Sequence, residues 1–205
     1  MKLTRLITFL LVIATAVCAR GALTAGQIMD KAAKKLTGPA SVTVTFTIAS
    51  DRTGTTTGSL TMGARKFTFT AAGLSVWYDG KTQWTLNRQT KEVSITTPTA
   101  AELTESNPFY ILSDYRSKYH CKALKGTAGQ YKIQLTPKAK GASVRSVTVT
   151  VRQKDFQPLE LVITPQSGAA VTVKVKSIAA GKALPASYFR FDPARHKDYE
   201  VIDLR

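Results

Sequence analysis

Side chains able to do chemistry are few in this sequence and stand apart from one another. His120 and His196 are the only histidines among 205 residues, and a catalytic histidine needs a nucleophile, a metal or a carboxylate within reach. Asp192 and Asp198 bracket His196, in a polar stretch near the C-terminus that reads as a solvated loop. The carboxylates number 13, and several sit in turn sequences around Asp51, Asp79 and Asp155. No His-Glu-x-x-His run, Gly-x-Ser-x-Gly elbow, phosphate-cradling glycine loop or cysteine pair occurs. Cys121 lies in the strand-like stretch Tyr119-His120-Cys121-Lys122 and reads as a small filler, not a nucleophile. The expectation is a protein without catalytic site, metal or cofactor.

The start of the chain reads as a secretory leader. Lys2 and Arg5 supply its positive end, and Leu6 to Val17 is an apolar run. At about 12 residues it falls short of the roughly 20 that span a bilayer. Small residues follow at Cys18, Ala19, Gly21 and Ala22, so residues 1–21 are predicted to be a cleaved signal peptide and 22–205 a single domain. A lipid anchor on Cys18 is disfavoured by the bulky Val17 before it. With Cys18 gone, Cys121 is alone and stability must come from a core, for which 43% apolar composition suffices.

A formal charge of +16, from 29 basic and 13 acidic residues, favours anionic partners. Nucleic acid is the first to consider. The basic residues, however, alternate with apolar ones, as in Val171-Thr172-Val173-Lys174-Val175-Lys176, and no basic helix, zinc spacing or aromatic RNA-binding motif appears. The pattern predicts a solvated sheet face, no nucleic-acid partner and an affinity for anionic headgroups.

Periodicity supplies the elements. Thr24-Ala25-Gly26-Gln27 has the form of a capping box, followed at helical spacing by Met29, Ala32, Ala33 and Leu36 and stopped by Gly38-Pro39. This predicts a helix over residues 25–37. A period of two then takes over: Val42, Val44, Phe46 and Ile48 alternate with Ser41, Thr43, Thr45 and Thr47. Leu60 with Met62, Phe67 with Phe69, Val76-Trp77-Tyr78, Thr82 to Leu86, and Val93 with Ile95 continue an antiparallel meander, with Asp79-Gly80 as a tight turn. Between Thr97 and Tyr119 strands stop. Thr99 and Glu102 form a second capping box, and Asn107-Pro108 opens a segment carrying Phe109, Tyr110, Ile111 and Leu112, with proline expected at the first helical position. Alternation resumes at Tyr131-Ile133-Leu135, Val147-Val149-Val151, Leu159-Leu161-Ile163 and Val171-Val173-Val175, and the tail adds Phe189-Arg190-Phe191 and Val201 to Leu204. About eleven strands are too many for a small flat sheet. A mainly β fold with a few helices follows, as an antiparallel barrel left partly open and covered by a helical lid, with room for an apolar ligand between.

Several of these stretches resemble one family. They are the first helix, the strand Ser41 to Ala49, Gly58-Ser59-Leu60-Thr61-Met62, and Trp77-Tyr78-Asp79-Gly80-Lys81-Thr82-Gln83-Trp84. Asn107 to Leu112, Leu135-Thr136-Pro137-Lys138, Phe189 to Pro193 and Val201 to Arg205 complete the set. In this order they are similar to the LolA family of periplasmic outer-membrane lipoprotein carriers, in particular its Bacteroidetes-type branch. The resemblance implies an unclosed β-barrel with a helical lid, a hydrophobic cavity, no catalytic site and a periplasmic location. It also implies acylated lipoproteins as cargo, an inner-membrane LolCDE-type ABC transporter as donor, an outer-membrane acceptor, and a monomeric carrier. Better-known members carry an Arg-Pro pair after the Gly-x-Leu strand, the arginine helping to close the lid. Here Gly63-Ala64-Arg65-Lys66-Phe67 lacks the proline and is one residue shorter, so Arg65 is the nearest counterpart for lid control, with a solvated strand-end arginine as the other reading.

The expected cavity lining is Val44, Phe46, Ile48, Leu60, Met62, Phe67, Phe69 and Trp84 on the sheet. Ile111 and Leu112 on the lid, with Met29 and Leu36 on the first helix, are expected to cover them. Periodicity alone does not separate such a lining from a packed core. Two other functions suit the same sequence: a carrier of another amphiphile, such as a glycolipid or polyene acyl chain, and an adhesion β-domain whose basic face binds an anionic polymer.

Overall fold

A computed structural model describes residues 22–50 and 54–205. The expected leader, its cleavage site, Cys18 and the turn at Asp51 lie outside the described residues. Helix α1 (Ala25–Thr37) starts on the expected capping box, with the Gln27 N–H donating to Thr24 Oγ1 at 3.2 Å and the Thr24 N–H to Gln27 Oε1 at 2.9 Å. These bonds satisfy amides that a helix start leaves bare.

The strands are β1 (Ser41–Ser50), β2 (Gly54–Gly63), β3 (Lys66–Ala71), β4 (Leu74–Tyr78), β5 (Gln83–Asn87) and β6 (Glu92–Thr96), then β7 (Tyr119–Leu124), β8 (Gln130–Pro137), β9 (Val144–Arg152), β10 (Pro158–Pro165), β11 (Val171–Gly181) and β12 (Glu200–Asp203). All twelve form one sheet in the order β12-β6-β5-β4-β3-β2-β1-β11-β10-β9-β8-β7, with β7 and β12 as unjoined edges. The chain runs a meander from β1 to β6, crosses to the far edge through helices α2 (Ala100–Ser106), α3 (Tyr110–Ser113) and α4 (Tyr115–Lys118), and returns as a second meander. That return brings β11 antiparallel against β1, and β12 finally joins β6 in parallel. The expected open barrel with a helical cover is the fold observed.

Alternation does the positioning. Along β1, Val42, Val44 and Phe46 are buried on the concave side, while Thr43 and Thr45 face outward and hydrogen-bond to Thr61 at 3.1 Å and Ser177 at 2.6 Å. Register is set by tight turns. Ala72 and Gly73, both with positive φ (50° and 78°), make the two-residue turn between β3 and β4 whose twist matches that of its strands.

Two expectations about elements change. The Phe189-Arg190-Phe191 stretch is not a strand: a 3₁₀ turn at Ala186–Phe189 follows Pro185 and another at Pro193–Arg195 follows it, and prolines at both flanks take away ladder donors. Pro108 does not open a helix either. Asn107, 1% exposed, accepts the Phe109 N–H on its side-chain oxygen (3.0 Å) and the Tyr110 N–H on its carbonyl (2.9 Å), so α3 begins two residues later.

Gly58 on β2 leaves room for the central ring of the concave face. A Cβ there would lie 2.6 Å from Phe46 Cε2 and 2.8 Å from the Ala71 Cβ. Gly58→Val is expected to destabilise the protein by ~1–3 kcal/mol through overpacking, measured as a lower urea midpoint; an unchanged midpoint would mean the Phe46 ring is free to move aside.

Candidate functional site

The concave face is the candidate site. Strands β1 to β4 and β8 to β11 line it with one continuous apolar cluster, and α1 presses Ile28, Met29, Ala32 and Leu36 onto it. The segment from α2 to α4 closes the remainder with Leu103, Phe109, Ile111, Leu112 and Tyr115. At the centre the Phe46 ring stacks on Phe69 (centroids 5.7 Å, planes at 23°) and meets Phe109 of the lid at 5.6 Å. Four consecutive large apolar side chains on so short a segment are explained by this plug.

Val44, Phe46, Leu60, Phe67, Phe69, Ile111, Leu112, Met29 and Leu36 are all buried in that cluster, and Ile48 and Met62 pack at its margin. Trp84 is placed on the other side of the sheet. On β5 and β6 the apolar residues Trp84, Leu86 and Val93 point outward and form a second cluster with Trp77, Phe191 and Tyr199. The physical reason is the C-terminal segment, which crosses the convex face there and offers Phe191 as cover; Trp77 meets the Phe191 ring at 5.6 Å. Inward on the same two strands come Gln83 and Thr85, then Ser94 and Thr96. The concave face therefore changes from apolar to polar toward β6.

His196, expected in a solvated loop, is half-buried: its ring lies 5.7 Å from Trp77 and 5.1 Å from Phe191, while Nδ1 is 3.0 Å from the Asp192 carbonyl. His120 is exposed on edge strand β7. Burial raises the thiol pKa of Cys121, which favours its protonated form. Among the described residues no group of three or more histidine, cysteine or carboxylate side chains could hold a metal, and no helix is long and apolar enough to cross a membrane.

Charged groups fasten the lid that sequence patterning did not connect. Asp30 on α1 accepts a bond from Tyr115 Oη (2.5 Å) and a bidentate ion pair from Arg116, and Tyr115 Oη also lies 2.9 Å from the Gly26 carbonyl. The Arg116 guanidinium, followed by the Tyr115 hydroxyl, holds the Asp30 carboxyl below its ordinary range. Burial and the Asp30 carboxylate push the Tyr115 phenol upward. The only signal for this latch in the sequence was an aspartate on the polar side of a helix.

Arg65 is exposed at the tip of the β2–β3 hairpin, after Ala64 in the left-handed region (φ 53°). It lines a cavity of about 370 Å³ at the lid margin with Leu36, Met62, Asn107, Tyr110 and Asp114. The Asp114 carboxyl is lowered first by its bond from Ser117, then by Lys118 and by the Arg65 charge. A second fastening joins the β4–β5 turn to the C-terminal segment. Asp79 Oδ1 accepts the Lys81 and Thr82 N–H groups (3.1 and 2.9 Å), and Oδ2 pairs with Arg190 at 3.2 Å. Burial raises the Asp79 pKa, but those two amides and Arg190 outweigh it and hold the carboxyl low.

The arrangement at this site is an unclosed sheet whose apolar concave face is plugged by a helical lid. The family described as "Outer membrane lipoprotein carrier protein LolA" matches residues 15–166, and the chain belongs to it. β11, the 3₁₀ turns and β12 lie beyond the matched span. No curated protein matches the sequence. Among solved structures, an uncharacterised conserved protein of Thermus thermophilus superposes with a TM-score of 0.56 at 15% identity, covering 87% of this chain and 98% of that one. A DUF1329 family protein of Desulfovibrio piger gives 0.51 at 10% identity, over 82% of this chain and 98% of the other. A LolA superfamily protein of Nitrosomonas europaea gives 0.45 at 15%, over 83% and 99%. The likenesses to the Thermus thermophilus and Desulfovibrio piger structures concern the fold alone.

The latch has a pH signature. A carboxyl held low in the fold contributes stability that is present above the ordinary aspartate pKa and lost as pH falls through the folded value. Amide protection factors in α3 and α4, taken relative to the intrinsic exchange rate at each pH, are expected to fall below about pH 4, and Asp30→Asn should abolish that acid response while already showing lower protection at neutral pH. An acid response identical in both proteins would exclude the latch as its source.

Proposed function

We propose that the protein is a periplasmic carrier of acylated lipoproteins, taking them from an inner-membrane LolCDE-type ABC transporter and delivering them to an outer-membrane acceptor. It holds their acyl chains on the concave face and performs no catalysis. Family membership supports the reading, and the observation that carries it is the plug. Lid side chains already occupy the space that acyl chains would take, in a sheet that is open at both edges.

Magnitudes make such an exchange reversible. Lifting five apolar lid side chains out of the cluster costs on the order of 10 kcal/mol, at roughly 1.5–3 kcal/mol each. An acyl chain of about fifteen methylenes recovers about 12 kcal/mol at ~0.8 kcal/mol per methylene. One acyl chain therefore replaces the lid side chains at little net change, which suits a carrier that must both load and release. The outward basic residues draw the carrier toward anionic headgroups at either membrane.

The test is incubation of the purified protein with membranes containing the transporter, ATP and a labelled lipoprotein. A soluble one-to-one complex is expected. If the folded protein binds an apolar dye but releases no lipoprotein, the concave face serves another amphiphile; strong salt-dependent polymer binding without dye binding would favour the adhesion reading. Phe69→Glu, at the more exposed ring of the central stack, is expected to abolish complex formation while circular dichroism still reports the sheet. Undiminished transfer by that variant would remove Phe69 from the lining.

A further inference from the structure

Gln83 is the one residue among those described with a buried side-chain polar atom that lacks a hydrogen-bond partner, its Oε1. The residue is only 8% exposed, and its Nε2 donates to Thr85 Oγ1 at 3.3 Å. An unpaired buried acceptor costs stability that leucine or methionine at the same place would not. Its surroundings are equally out of keeping with a core. Thr96 is its register partner on β6, Thr85 and Ser94 pair beside it, and all sit on the concave face whose other strands are apolar.

These side chains line a cleft of about 390 Å³, with Phe69 and Val76 as its other wall. The apolar wall continues into the ring stack of Phe69 and Phe46 that forms the centre of the plug. A ligand entering here would thus meet hydrocarbon on one side and hydrogen-bonding groups on the other. Glu102 stands at the rim of the same cleft, with its carboxyl held low by the bonds from Thr99, and a negative charge there repels a carboxylate or phosphate head.

We propose that this cleft is a headgroup subsite that takes the uncharged, hydrogen-bond-donating head of an acylated ligand. Gln83 Oε1 accepts its N–H or O–H, and the chains run toward Phe69 and Phe46. The proposal rests on the carrier reading and adds polarity to it: the ligand enters in one orientation, head toward β6. Two sources carry this chemistry, the amide N–H of an acylated peptide and the free hydroxyl of an acylglycerol.

The experiment is displacement of a bound apolar dye by three probes of equal chain length: an N-palmitoyl dipeptide amide, monopalmitoylglycerol and palmitate methyl ester, which has no donor. The wild-type protein is expected to bind at least one donor-bearing probe about tenfold more tightly than the ester, the worth of one buried hydrogen bond. The preferred donor identifies the source. Gln83→Leu should remove that preference, leave affinity for the ester unchanged, and melt at the same or a higher temperature without ligand. Equal affinity of the wild type for all three probes would overturn the subsite, as would a variant that melts lower and weakens every probe alike, since Gln83 would then merely support the fold. If no probe, the ester included, displaces the dye, the carrier reading itself fails.

Discussion

An antiparallel sheet that does not close on itself, with one face apolar, has to be covered, and most of this structure follows from how that covering is done. Closure into a full barrel would fill the interior with its own side chains. Here β7 and β12 remain edges, and the covering is brought in by α1 on one side and by the segment from α2 to α4 on the other. The contact where sheet and lid segment meet is Phe46 between Phe69 and Phe109. Gly58 belongs to the same arrangement, because any side chain there would occupy the ring's space.

The covering differs between the two faces. Over β5 and β6 the C-terminal segment shields the convex side, and those strands turn their large apolar residues toward it. Their other side is thereby left to Gln83, Thr85, Ser94 and Thr96. One short segment thus sets where the apolar concavity ends, and Arg190, paired with Asp79 of the β4–β5 turn, helps hold that segment in place.

How much of this could be read in the sequence depends on the kind of information each pattern carries. Capping boxes at Thr24 and Thr99 are local chemistry, and both helices begin where the side-chain hydrogen bonds require. Alternation along β1 and β3 is likewise local, and with threonines on one parity it pointed to the buried residues Val42, Val44, Phe46, Phe67 and Phe69 directly. Trp84 shows the limit. Alternation assigns residues to two faces but does not say which face is inside, and that was decided by a segment about a hundred residues further on. The latch between Asp30, Tyr115 and Arg116 is of the same long-range kind. Phe189 and Phe191 failed for a different reason: their alternation was that of a strand, but flanking prolines removed the ladder. The polar cleft was hidden because threonine and serine at strand positions look solvent-facing until the sheet's sidedness is known.

The lid combines two kinds of restraint with different reach. Apolar contact with Phe46 falls off within a few ångströms, so Phe109 contributes only while its ring is seated against Phe46. The ion pair at Asp30 sits at the solvent margin, with Arg116 mostly exposed, and surface pairs are worth little individually. Its geometry matters more than its strength. It ties α4 to α1 through a bidentate guanidinium and a shared tyrosine hydroxyl. The polar pair thus fixes the direction in which the lid segment meets α1, which undirected apolar contact alone does not.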